Sequence, residues 1–112
     1  MKKEKNYLDY IPVRNSEYKW QVIEDNIVEI HVVNKGIFNK MAQIILKKPK
    51  ISKIKLDTYG SIVWQAIDDN KDIGQIAEDV RENFNDNEEI FYDRLIKFFY
   101  ILKENKFIIY KK

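Results

Sequence analysis

Cysteine is absent from the 112 residues, which excludes disulfides and thiolate metal sites. The three glycines are too scattered to build a phosphate-cradling loop. The sole histidine, His31, lies inside an apolar alternating run with no serine or cysteine motif beside it. No nucleophile, base and oxyanion set can be assembled around it. A metal site would need His31 and carboxylates alone, and Asp68-Asp69 and Asp86-Asn87-Glu88-Glu89 stand where turns and helix caps need them. The expectation is a non-enzyme without metal or cofactor.

An excess of one charge is also missing. A formal net charge of +2 exerts no global pull on nucleic acid. The apolar runs fall short of the roughly 20 residues that cross a membrane. The opening "MKKEKNYLDY" has basic residues without the apolar run of a signal peptide. These absences lead to the expectation of a soluble, cytoplasmic protein.

What is present suits a packed core. Hydrophobic residues make up 45% and aromatics 13%, enough for one modest globular domain. Lysines gather at 47, 48, 50, 53 and 55 and again at 111 and 112. They read as a solvated face, with an acidic or nucleic-acid partner as the alternative.

Residues 1–17 read as an arm, in which Pro12 disfavours helix and Tyr7, Leu8, Tyr10, Ile11 and Val13 let the segment lie along the domain of residues 18–112. "YKWQVIEDNIVEIHVV" places two alternating runs around Asp25-Asn26, a dipeptide that tolerates left-handed turn geometry. Trp20 and Val22 share one face, Val28, Ile30 and Val32 another, and Glu29 and His31 the wetter side. Gly36 permits a turn, and apolar residues at 37, 38, 41, 44, 45 and 46 predict a short helix that Pro49 stops. "KISKIKLD" alternates again as a third strand, with Ser52, Ile54 and Leu56 opposite Ile51, Lys53 and Lys55.

Three helices are expected after it. The first, capped by Asp57, carries Tyr59, Ile62, Val63, Ala66 and Ile67 on one stripe and ends at Asp68-Asp69-Asn70, with Asn70 left-handed. Asp72 and Gln75 form a capping box for the second, whose stripe is Ile73, Ile76, Ala77, Val80 and Phe84. The third, about 88 to 104, has Phe91, Leu95, Phe98 and Leu102 as its core stripe. Tyr92, Ile96, Phe99 and Tyr100 widen it beyond what one contact needs. "FIIY" closes as a short strand or extended segment. The fold class is α+β: a winged-helix-like domain with a small antiparallel three-stranded sheet followed by a three-helix bundle.

Gly60 costs its helix roughly 1 kcal/mol against alanine, which is tolerable where a backbone or a ring must come close. The order Leu56-Asp57, Gly60, Val63-Trp64, Ile67-Asp68, then "DIGQIAEDV" and "RLIKFFYILKENKFI", resembles the family of pyrroloquinoline quinone biosynthesis protein D. The resemblance spans about Trp20 to Tyr110. Asn70 stands where the family often has glycine, and Asp72-Ile73 where Thr-Val is common. The stretch from Val33 to Ile51 is longer than in a compact member.

The resemblance implies a non-catalytic adaptor that holds the leader of a ribosomally made precursor peptide as an added strand. It presents that peptide to a modifying enzyme, often a radical S-adenosylmethionine protein. The implied groove runs between third strand and third helix, with Ile51, Lys53, Ile54 and Lys55 on the strand and Tyr92, Arg94, Leu95, Ile96 and Phe99 on the helix. Free strand backbone would give affinity, and Lys53, Lys55, Arg94 and Lys97 would suit an acidic guest.

The same residues have plainer uses. Tyr92, Ile96 and Phe99 also suit packing against residues 37–46 or the arm, and the lysines suit protection of a sheet edge. The alternative function is a winged-helix DNA-binding protein. Glu78, Asp79 and Glu82 on the second helix, with only Arg81 to offset them, speak against phosphate contact. An oily flank beside a sheet edge leaves a homodimer open.

Overall fold

The computed structural model describes residues 6–34 and 50–111, so the helix expected over 37–46 and the Gly36 turn lie outside the described residues. Strands β1 (Pro12–Arg14), β2 (Lys19–Val22), β3 (Val28–Asn34) and β4 (Lys50–Lys55) precede helices α1 (Thr58–Ala66), α2 (Ile73–Val80) and α3 (Glu88–Glu104). Strand β5 (Ile108–Tyr110) follows. β2, β3 and β4 form the expected three-stranded antiparallel sheet in that order. β1 pairs with β5 in a separate two-stranded sheet. That pairing joins residues about a hundred apart and has no local signal in either segment.

The hairpin turns where the dipeptide allows it, with φ of 61° at both Asp25 and Asn26. Trp20, Ile30 and Ile54 lie opposite one another on the core face, and Gln21, Glu29 and Lys55 on the outer face. Glu29 departs from the wet environment expected of it, being only 6% exposed. After α1 it is Asp69, at φ 69°, and not Asn70 that turns left-handed. The Asp68 carboxylate accepts from the Asn70 and Lys71 backbone N–H groups and so places the bend one residue earlier.

The helices start as their caps dictate. Asp57 accepts from the Gly60 N–H at 2.7 Å, Asp72 and Gln75 close the capping box, and Asn87 accepts from the Ile90 N–H. α2 buries Ile73, Ile76, Ala77 and Val80, while Phe84 lies beyond it and is half-buried. On α3 the fully buried residues are Phe91, Leu95, Phe99 and Leu102. Phe99 therefore takes the core position expected of Phe98, which is half-buried. The stripe is rotated toward Phe99 because Phe98 has another neighbour.

That neighbour is Gly60. A Cβ there would stand 2.9 Å from Phe98 Cε1 and 3.2 Å from the capping Asp57 Oδ1. Trp64, one turn on, is buried edge-on to Trp20 at 5.9 Å between ring centroids. The Arg14 guanidinium covers both indoles and donates to the Trp64 carbonyl at 2.7 Å. Glycine thus admits α3 to α1, and tryptophan fills the space toward the sheet and β1.

Alanine at position 60 offers about 1 kcal/mol of helix propensity but forces the Phe98 ring or the Asp57 cap to move, at about 1–3 kcal/mol. Urea denaturation should find Gly60→Ala less stable than wild type, and less damaging when Phe98→Leu is also present. A Gly60→Ala protein of increased stability would contradict the close approach.

Candidate functional site

β4 is an edge strand of the three-stranded sheet. Antiparallel pairs alternate between hydrogen-bonded and non-hydrogen-bonded partners. The Leu56 N–H donates to the Val28 carbonyl at 2.9 Å, which makes that pair a bonded one. By alternation Ile30–Ile54 and Val32–Ser52 are bonded as well, and the backbone groups of Ile51, Lys53 and Lys55 point away from β3. No described strand lies on that outer side.

The ladder ends at a joint into α1. Ser61 Oγ accepts the Val28 N–H at 2.8 Å and faces the Leu56 carbonyl at 3.4 Å. This buried hydroxyl occupies the place where a further ladder bond would be. Ile54, on the core side of β4, remains 38% exposed although its partner Ile30 is fully buried. The exposed side of Ile54 borders the edge.

The side of α3 that meets the start of α1, just after this strand, is identified by Gly60 and Tyr59. Phe98 meets Gly60 and packs edge-on to Tyr59 at 6.1 Å, and the Arg94 guanidinium lies 4.1 Å from the Tyr59 ring centroid. At 100° per residue, Ile90, Arg94, Lys97, Phe98 and Ile101 share that flank. Ile90 and Ile101 are half exposed there. Tyr92 and Ile96 fall on the opposite flank, as does Tyr100, whose hydroxyl lies close enough to influence Tyr7. Leu95 and Phe99 lie between the flanks and are fully buried.

The expected site residues therefore divide. Ile51, Lys53, Ile54 and Lys55 are all exposed on β4, and Arg94 is exposed on the near flank of α3. Tyr92 and Ile96 are half-buried on the far flank. Leu95 and Phe99 are core, unable to meet a surface ligand without unpacking. Phe98 and Ile101, which the sequence reading did not select for the groove, share the near flank with Arg94. The available signal was Gly60, which marks a close approach to α1.

Arg94 is not a free cation. It donates to Asp86 Oδ2 at 2.9 Å while covering Tyr59. Burial pushes the Tyr59 phenol up to about 12, an effect that the Arg94 charge partly offsets. Its hydroxyl and Trp64 Nε1 are buried without a hydrogen-bond partner among the described residues. On the outer face of the sheet, Glu29 Oε1 accepts from Gln21 at 3.0 Å and lies 2.9 Å from His31 Nε2. Those hydrogen bonds from His31 and Gln21, with the field of Lys53, hold the Glu29 carboxyl below its ordinary 4.5.

A cavity of about 390 Å³ lies by the hairpin turn, lined by Ile23, Glu24, Asp25, Ile27 and Lys55. It is shallow and mixed in polarity, and no described group of His, Asp or Glu is arranged to hold a metal. No helix among the described residues is long and apolar enough to cross a membrane.

The family model described as coenzyme PQQ synthesis protein D (PqqD) matches residues 43–108, more than half of the chain. That span holds β4, the three helices and the Gly60–Phe98 contact. No curated protein and no solved structure matches the chain.

The Glu29 network makes stability depend on acid in a defined direction. A carboxyl that binds its proton less tightly folded than unfolded stabilises the fold above its unfolded value and loses that contribution as pH falls through the folded one. Thermal unfolding of wild type and Glu29→Gln should therefore differ most near neutral pH and converge below about pH 4. A gap independent of pH would show that His31 and Gln21 do not hold the carboxylate.

Proposed function

The chain belongs to the PqqD family, and from that premise we propose that it is a non-catalytic adaptor for a ribosomally made precursor peptide. It holds the leader segment as an added strand on β4 and presents it to a modifying enzyme, such as a radical S-adenosylmethionine protein. The observation that carries this reading is the outward backbone of Ile51, Lys53 and Lys55 on an edge strand that leads straight into α1, where Phe98 of α3 packs at Gly60.

Strand addition needs both features. Backbone hydrogen bonds align a guest of almost any sequence, and apolar contacts on alternate side chains select among guests. Ile54 and half-buried Leu56 supply apolar surface from the strand, and Phe98 and Ile101 from the helix. Tyr92 and Ile96 have no part in this groove, and Leu95 and Phe99 serve only as the packing beneath it. DNA binding is less well supported, because Glu78, Asp79 and Glu82 are all exposed on or just after α2, where a major-groove helix needs cations.

Proline at position 51 removes an outward N–H and leaves the bonds to β3 intact, whereas proline at 54 breaks the pair with Ile30. With a synthetic leader peptide from a precursor encoded beside this protein, Ile51→Pro should keep the wild-type fold yet weaken binding by about tenfold. Amide shifts on titration should concentrate on residues 51–56, 94, 98 and 101. Shifts confined to α2 on adding duplex DNA, with none from peptide, would overturn the reading.

A further inference from the structure

Resting on that strand-addition reading, we infer that the β4 edge is a charge filter. It takes an extended guest whose side chains alternate between acidic and apolar, and it refuses a second copy of this chain. The inference comes from the rows of side chains that cross the outer face of the sheet. Cross-strand partners on one face stand side by side, so each row runs perpendicular to the strands.

One row reads Gln21, Glu29, Lys55 and the other Lys19, His31, Lys53. Each ends at the open edge on an exposed lysine. Neither Lys53 nor Lys55 is in an ion pair among the described residues. In the first row Glu29 already stands inward of Lys55, so an acid beyond the edge would leave that ammonium with a carboxylate on either side. In the second row Lys53 has no anion beside it among the described residues, its inward neighbour being His31. A guest strand would fill the position outward of each lysine with alternate side chains, two residues apart.

The intervening guest side chains point to the other face. There they meet Ile54, 38% exposed, and the flank of α3 that carries Phe98 and Ile101, the latter 54% exposed. Ile54, Phe98 and Ile101 make that surface largely apolar, and of the two cations on the flank Arg94 is already paired with Asp86 while Lys97 is exposed on the solvent side of the helix. Acid is therefore favoured more strongly on the outer side of the guest. A block of acids would force every second carboxylate against Ile54.

The same lysines decide against self-association. A second copy pairing symmetrically about Lys53, the register that engages all three outward residues, sets Lys53 against Lys53. Like charges placed directly opposite destabilise a strand pair, and lysines on an edge are a recognised guard against such pairing. The edge is closed to its own kind and open to an oppositely charged strand.

Fluorescence anisotropy with four labelled heptapeptides tests this. One alternates glutamate and isoleucine, the second replaces each glutamate by glutamine, the third replaces each by lysine, and the fourth groups the glutamates together. The alternating acidic peptide should bind best, with about a tenfold advantage over the glutamine peptide that shrinks as salt is raised. The double variant Lys53→Gln, Lys55→Gln should erase the advantage, and Lys53→Glu, Lys55→Glu should transfer it to the lysine peptide. Wild type should sediment as a monomer at the same concentrations.

Equal binding of the acidic and glutamine peptides would overturn the filter while leaving strand addition standing, and so would equal binding of the grouped peptide. Binding of none of the four, with the leader peptide also failing, would remove both. A wild-type dimer abolished by Ile51→Pro would overturn the refusal of a second copy.

Discussion

The joint between β4 and α1 is the constraint on which the remaining geometry depends. Within six residues, Leu56 makes the last ladder bond to Val28, Asp57 caps the helix, Gly60 admits Phe98, and Ser61 takes the Val28 N–H. Each satisfies a group that would otherwise be buried and unpaired, or opens space that a side chain would fill. Together they fix the direction in which α1 leaves the sheet. Because Phe98 of α3 packs at Gly60, that flank of α3 is held against the start of α1, the helix that directly follows β4.

Local chemistry was legible in the sequence, and the arrangement of the parts was not. Both left-handed positions of the hairpin, the Asp57 cap, the Asp72–Gln75 box and the stripe of α2 follow from spacing and residue type alone. The bounds of α3 did too, since an acidic first turn and Lys103 in its last turn mark its ends. What failed was rotation about that helix axis. A helix with apolar residues over more than half its circumference does not say which of them face the core, so Phe98 and Phe99 were exchanged, and the choice for Tyr92 and Ile96 between a groove and packing against the arm stayed open. The β1–β5 pair escaped for a different reason: three-residue strands carry almost no periodicity, and their partner is at the other end of the chain.

The faces of the two elements followed the same division. Which residues of β4 share the outer face could be read because a period of two leaves only two faces to choose between. Which residues of α3 face α1 could not, because 3.6 residues per turn offers a continuum of orientations. Gly60 held part of the missing information. A glycine inside a capped helix signals a close approach by a neighbouring element, though not which of the aromatics on α3 makes it.

For the proposed strand addition, magnitudes give the helical flank more weight than the edge. Each backbone hydrogen bond to a guest replaces one to water and contributes a net of about 1 kcal/mol. Three outward residues thus supply only a few kcal/mol, while ordering and immobilising an extended peptide costs about 4–15 kcal/mol. The backbone edge alone is insufficient, and the remainder must come from burying apolar area at roughly 25 cal/mol per Å². Ile54, Phe98 and Ile101 are the groups placed to bury it. On the strand-addition proposal the edge would set direction and register, the lysines would discriminate by charge, and the flank of α3 that packs at Gly60 would supply most of the affinity. Loss of the contact between α1 and α3 would then weaken a peptide guest even with every hydrogen-bonding group on β4 unchanged.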